Sequence, residues 1–325
     1  MSEGARCGVY EEMRAIAIDV GGSHAACAVV DGHRVLAAEN IPVPNARCFE
    51  TLLPRLAAAA RVVLERCGIA ALDCAGVAVS FPGIVDSVSG RIFSTPKGKY
   101  EDSSVVNLPA WSRECFGLPL RIENDARMAL LGERHCGAAR GFDDVVMLTL
   151  GTGVGAAAMM GGQLLRGKHF QACLGGHLPV QFDGRPCICG SAGCLETEAS
   201  TWALPAICHA WPGFAESALA NEPVLDFAAL FRWSIARDPV ACAVRDRCLS
   251  VWAAGSVAMV HAYDPELLVY GGAVMKSSGQ ILPFLDEYVH AHAWSPWGKT
   301  KLAKSELGVE AGLLGAVPLL KETCR

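Results

Sequence analysis

Gly175-Gly176-His177 and, ten residues on from the histidine, Cys187-Ile188-Cys189-Gly190-Ser191-Ala192-Gly193-Cys194-Leu195-Glu196 carry the most specific spacing in the chain. Three thiols within eight positions and one imidazole make a Cys3His donor set, which suits Zn2+ because thiolate and imidazole are its preferred ligands in a closed tetrahedral shell. Four protein ligands leave no position open, so the ion expected at His177, Cys187, Cys189 and Cys194 is structural. Gly190 and Gly193 let the loop fold tightly, and Glu196 emerges from the knot with its carboxylate fixed in space. The competing reading is scattered reduced cysteines, since the chain has 15 of them. The third thiol and the histidine at this spacing favour the metal.

The rest of the composition narrows the setting. At 325 residues the chain has room for two domains, and 52% hydrophobic content supplies their cores. A net charge of −5 does not suit nucleic-acid binding. The cysteines are odd in number and irregularly spread, and Met1 to Arg14 carries charges without an apolar leader. Reduced thiols and a cytoplasmic location are therefore expected. The apolar run Val145 to Gln163 is broken by Thr149, Thr152 and several glycines, which reads as a buried strand and turn rather than a membrane span.

Strands alternate with helices along the chain. Arg14 to Val20 reads as a strand entering a glycine turn, with Ala25 to Asp31 and Arg34 to Asn40 as further strands around Asp31-Gly32. Phe49 to Cys67 has helical periodicity; Gly76 to Ser80 and Leu118 to Ile122 are strands, and Ala126 to Cys136 is a helix. Strand Val145 to Leu150, helix Cys242 to Tyr263 and strand Leu267 to Tyr270 follow. Glycine turns recur at strand ends, at Gly21-Gly22-Ser23, Gly151-Thr152-Gly153 and Gly271-Gly272. Glycine lets backbone N–H groups approach an anion, so each turn can cradle phosphate. Neither a Walker sequence nor a dinucleotide Gly-x-Gly-x-x-Gly follows the first strand, which argues against a P-loop enzyme and a Rossmann dehydrogenase.

Asp19-Val20-Gly21-Gly22-Ser23, Ser80-Phe81-Pro82-Gly83, Glu123-Asn124-Asp125-Ala126, Gly151 to Gly155 and the cysteine segment fall in the order and spacing of the ROK family, so the chain resembles that group of repressors, open reading frames and sugar kinases from about residue 14 to 320. The resemblance implies an α/β, two-lobed, actin-like ATPase fold of the hexokinase type with a structural zinc loop. Its amino-terminal lobe would be residues 1–125, with a closing helix from Glu310 to Leu320, within about 310–325, packing back on it. The carboxy-terminal lobe would be residues 126–309, with the zinc loop at 177–196. Only 18 residues precede Asp19, too few for the DNA-binding domain of family repressors, so a repressor is not expected.

The resemblance also implies roles. Asp125, which by itself reads equally as a helix N-cap, matches the base that accepts a proton from a sugar hydroxyl as that oxygen attacks ATP. Gly83, Asn107, Asn124, His177 and Glu196 match sugar-contacting positions. Asp19, Gly21, Gly22 and Ser23 match the Mg2+-bound phosphate segment, Gly151, Thr152 and Gly153 a second phosphate turn, and Gly271 and Gly272 the adenosine segment. The family pattern differs at three places: Leu174 stands where a sugar-holding glutamate is usual, Arg127 where asparagine is common, and His24 where lysine or a small residue is usual. The last two read as surface or supporting changes. The expected activity is ATP- and Mg2+-dependent phosphorylation of a hexose or hexose derivative, at O6, in a homodimer or homotetramer. An amino sugar, acetamido sugar or cyclitol is the alternative substrate, and a non-catalytic sugar sensor the alternative function.

Overall fold

The computed structural model describes residues 13–43, 47–96 and 98–322. Of the stretch Met1 to Arg14, residues 1–12 lie outside the described residues, as do residues 323–325 of the segment expected to close the chain. The chain forms two compact units. The first runs to Gly141 and takes in Arg166–Ala172 and the chain from Glu306 onward; the second comprises Phe142–Leu165 and Cys173–Ser305.

Strands of the first unit are β1 (Arg14–Val20), β2 (His24–Asp31), β3 (Arg34–Pro42), β4 (Val77–Phe81), β5 (Ile84–Asp86), β6 (Arg91–Ser94) and β7 (Leu120–Asn124). Five of them form a sheet in the order β3-β2-β1-β4-β7, and β5 pairs with β6 as a separate hairpin. β1, β4 and β7 are parallel, with Asp19 beside Ser80 and Ser80 beside Glu123. Their carboxyl ends therefore share one edge, the place where open α/β sheets bind ligands. Helix α1 (Leu53–Cys67) buries Leu56, Ala60, Val63 and Leu64, a 3.6-residue stripe. It starts later than the expected Phe49 because Pro54, which cannot donate a hydrogen bond, occupies its first turn. Helices α2 (Leu108–Phe116) and α3 (Asp125–Cys136) complete the main body of this unit.

The division between units falls after Gly141 rather than after Asp125, so α3 belongs with the sheet that precedes it. Two glycines explain this. A Cβ on Gly132 would lie 2.1 Å from the carbonyl oxygen of Ala311, and one on Gly315 would lie 2.3 Å from that of Met128. The closing segment thus meets α3 backbone to backbone. The single closing helix expected from Glu310 is instead two short ones, Ala311–Leu314 and Ala316–Lys321, split at Gly315.

In the second unit β8 (Val145–Leu150), β9 (Val154–Met160), β10 (Gln163–Leu164), β11 (Leu267–Gly271) and β12 (Lys301–Lys304) form a sheet in the order β10-β9-β8-β11-β12. The apolar run from Val145 to Gln163 is accordingly two paired strands and the turn between them. Helices α4 (Leu195–Ala199), α5 (Leu204–His209), α6 (Phe227–Ile235), α7 (Pro239–Tyr263) and α8 (Ser278–His292) cover it. α7 begins earlier than expected, at Pro239, behind an Asp238 cap that accepts the Ala241 N–H at 2.9 Å. Among the described residues no helix is long and apolar enough to cross a membrane.

Candidate functional site

The catalytic candidate sits where β7 becomes α3. Asn124 is the N-cap: its Oδ1 accepts the N–H groups of Ala126 at 3.1 Å and Arg127 at 3.3 Å. Capping therefore falls to Asn124, and Asp125 is the first helical residue. Its Oδ1 accepts the Ala126 N–H at 2.8 Å and an Asn124 amide hydrogen at 3.0 Å. The other amide hydrogen of Asn124 reaches the Gly83 carbonyl at 3.1 Å, so this side chain, expected on a sugar hydroxyl, is committed to orienting Asp125 against the loop after β4. Water reaches the Asp125 side chain, but protein surrounds it at longer range. That burial pushes its carboxyl up to about 6, with the Asp19 charge acting in the same sense and the Ala126 N–H and Asn124 amide opposing it.

The first phosphate turn follows β1. Gly21 N–H donates to the His24 carbonyl at 2.9 Å, closing a tight turn into β2, and the Ser23 hydroxyl lies 3.0 Å from Nδ1 of His24. Burial pushes the Asp19 carboxyl above its ordinary value. A half-buried carboxylate beside a glycine turn is a hard oxygen donor suited to Mg2+. The structure thus joins Asp19, Gly21, Gly22, Ser23, Gly83, Asn124 and Asp125 in the first unit. Asn107 caps α2: its Oδ1 accepts the Ala110 N–H at 3.0 Å, which leaves its amide hydrogens unused by the cap.

Two further groups were not legible in the sequence. Tyr100 is fully buried and donates its hydroxyl to the Gly21 carbonyl at 2.6 Å. Glu123, also fully buried, takes Arg127 at 3.2 Å and Arg166 at 2.5 Å, while Arg166 reaches Glu322 at 2.5 Å. Arg127 is no surface substitution. It is 3% exposed and also donates to the carbonyls of Phe170 and Ala172, both at 3.0 Å, fastening the 166–172 segment to α3.

In the second unit the remaining candidates converge. The β8–β9 turn holds Gly151, Thr152 and Gly153, with Gly151 N–H donating to the Gly153 carbonyl at 3.0 Å. Gly271 pairs with Thr149 across β11 and β8. Gly272 has φ +89°, and a Cβ there would lie 2.2 Å from the Leu150 carbonyl, so only glycine fits. Glu196, at the start of α4, accepts the Val154 N–H at 2.9 Å.

His177, Cys187, Cys189 and Cys194 bring one ligand atom each within 4.8 Å of one another. Nδ1 of His177 is 3.6 Å from the Cys187 sulfur, and the Cys189 and Cys194 sulfurs are 3.6 Å apart. A tetrahedral zinc with Zn–S bonds of about 2.3 Å sets its sulfurs roughly 3.8 Å apart, so spacing and donor chemistry both fit. Gly193, at φ +64°, makes the knot possible, since a Cβ there would overlap the Gln181 carbonyl at 1.6 Å. The knot is braced by Glu198, buried at 1% exposure, which accepts the Arg185 N–H at 2.6 Å and pairs with Arg247. Leu174 precedes His177 with 45% of its surface open to solvent.

Known proteins are similar to this chain in sequence and fold. The chain is 32% identical over 253 residues to a glucokinase of Thermotoga maritima, covering 76% of this chain and 79% of that one. A crystal structure of a ROK family glucokinase from Streptomyces griseus in complex with glucose and AMPPNP superposes with a TM-score of 0.78 at 28% identity, over 95% of this chain and 100% of that one. The xylose repressor of Bacillus subtilis is also similar, at 24% identity over 241 residues, 74% of this chain and 59% of the repressor. Residues 15–323 match the ROK family throughout both units, and the chain belongs to that family.

Proposed function

We propose that the protein is an ATP-dependent sugar kinase in which Asp125 is the general base and the acceptor is the O6 hydroxyl of a hexose or hexose derivative. The observation that carries this is the state of Asp125. The carboxylate stands at a helix N-terminus, relieved of capping by Asn124, with its affinity for protons raised to about 6. A base of that strength is ionised at neutral pH and still takes a proton from a hydroxyl as it attacks phosphorus. The N–H groups of the glycine turns hold phosphate, and Asp19 would hold Mg2+, which supplies charge neutralisation when bound. His177 offers Nδ1 to the metal knot and keeps Nε2 for a sugar hydroxyl; Glu196 uses one oxygen on Val154 and keeps the other. The glucose and AMPPNP complex of the Streptomyces griseus relative supports the same pair of substrates for this chain.

An anomerically substituted or acetamido sugar is favoured over plain glucose by one observation: Leu174 presents an apolar side chain to solvent where the family pattern has a carboxylate. The repressor relatives keep open a sensor without turnover. A coupled ADP-release assay over a panel of hexoses, acetamido sugars, glycosides and cyclitols decides between them. Sugar-dependent ADP release is expected; sugar binding without release from any member would establish a sensor. Static light scattering tests the homodimer or homotetramer that the family reading carries.

A further inference from the structure

The tip of the Lys99 side chain lies directly against Gly22. A Cβ there would lie 2.0 Å from Nζ of Lys99, 3.0 Å from its Cε and 3.5 Å from its Cδ. The ammonium group therefore rests on the turn that follows β1, and among the described residues no acidic side chain is paired with it. Its own backbone is what sets it there. Gly98 has φ +79° and Tyr100 φ +51°, the latter a left-handed conformation that a bulky side chain rarely adopts. Strain of this kind persists only where the surroundings over-determine it, and it gathers at functional sites. Here the Tyr100 ring packs edge-on to Phe49 at 5.4 Å and tilted against Phe81 at 5.5 Å, while its hydroxyl binds the Gly21 carbonyl. One turn is thus gripped twice, at Gly21 by a hydroxyl and at Gly22 by a cation.

We propose that Lys99 contacts the terminal phosphate of the nucleoside triphosphate and that Tyr100 is the residue positioning it. The inference rests on the kinase reading above. Asp19 and Asp125 make this end of the sheet anionic, and a terminal phosphate entering beside them needs a cation besides the metal. A lysine supplies one as a compact charge whose three hydrogens can follow the phosphorus as its oxygens move. During transfer, negative charge spreads over the equatorial oxygens, and a fixed ammonium facing them lowers the barrier. Lys99 lies far along the chain from Gly22, and the glycine is what makes room for it.

The test compares wild type with Lys99→Met, Lys99→Arg and Tyr100→Phe, measuring calorimetric affinity for Mg-AMPPNP and for Mg-ADP, and kcat with the best sugar of the panel. Lys99→Met is expected to reduce the AMPPNP-to-ADP affinity ratio at least tenfold and kcat by about 10- to 100-fold. Arginine should restore most of both, and Tyr100→Phe should shift the ratio in the same direction by less. A lysine that merely packs on glycine would leave that ratio alone. If Lys99→Met keeps the ratio within twofold of wild type, the proposal is overturned. If wild type transfers phosphate to no sugar, the kinase reading falls, and the affinity ratio still decides the role of Lys99.

Discussion

The Glu196 carboxylate accepts the backbone N–H of Val154 at 2.9 Å, tying the residue that leaves the cysteine knot to the end of the second phosphate turn. Gly153 makes the contact possible, because a Cβ there would lie 2.4 Å from the same oxygen, Oε2. The cysteine segment, Glu196 and the β8–β9 glycine turn are therefore mechanically one piece. Glu196→Ala should lower kcat/KM by about 10- to 100-fold, raising KM for both sugar and ATP, because an orphaned N–H costs about 1–3 kcal/mol. Gly153→Ala should reproduce much of that loss by displacing the carboxylate, while Glu196→Gln keeps an acceptor oxygen and should spare the ATP term. Steady-state kinetics of the three variants checks this; an unchanged ATP KM in Glu196→Ala would dissociate the two elements.

The base makes its own prediction. If Asp125 is the base proposed above, it works only when deprotonated, and its carboxyl is pushed up to about 6, so kcat should fall as pH drops through about 6 and level off above it. Asp125→Asn should lower kcat by about 10²–10⁴-fold and abolish that acidic limb. A pH profile of the residual activity measures both; a limb surviving in the amide variant would assign it to another group.

Elemental analysis should return about one zinc per chain. Cys189→Ser should release it, weaken sugar affinity and lower the melting temperature, since the loop from Cys187 to Cys194 has little regular structure of its own. Active protein purified without metal would remove zinc from the account.

Leu174→Glu should raise kcat/KM for glucose relative to the preferred substrate, because it supplies an acceptor for hydroxyls that an apolar side chain leaves unpaired. Wild type is expected to show a millimolar KM for glucose, at the weak end of the usual range. Efficient glucose turnover by wild type, near 10⁴ M⁻¹s⁻¹ or above, would show that some other residue makes the contact.

Glu123→Gln should destabilise the protein by about 3–5 kcal/mol, because Arg127, at 3% exposure, would keep its charge without the carboxylate that compensates it. Denaturant midpoints measure the loss. A shift of under about 1 kcal/mol would mean that the Phe170 and Ala172 carbonyls suffice to hold the cation.

What the sequence disclosed was whatever is local in the chain. The cysteine knot, the three glycine turns and the strand-to-helix junction at Asp125 are each set by a few consecutive residues, and their chemistry survives being read alone. What stayed hidden depends on distant partners. Arg127 looked like a surface change because its partners, Phe170, Ala172 and Glu123, are joined to it by folding and not by any periodic pattern. Lys99 and Tyr100 stand in a stretch without regular spacing, and only the packing over Gly21 and Gly22 gives them meaning. Asn107 and Asn124 were read as sugar contacts and their capping was not foreseen, because an asparagine that caps a helix and one that meets a sugar carry the same letter. Helices α2, α4, α5, α6 and α8 were not anticipated; in α2 and α8 the prolines Pro109 and Pro283 blur the helical period.

The first unit is completed by a segment that follows the second unit in the chain. Its sheet and α3 are made early, but the segment that presses backbone against Gly132 arrives only after Ser305, by which time the whole of the second unit has already been synthesised. Completion of the first unit therefore requires residues made after those of the second, against the usual amino-terminal-first order. The second unit can close while the first still waits, with the faces of β1 and α3 that receive Ala311–Leu314 open to water. That interval is when these faces are most exposed to misassembly.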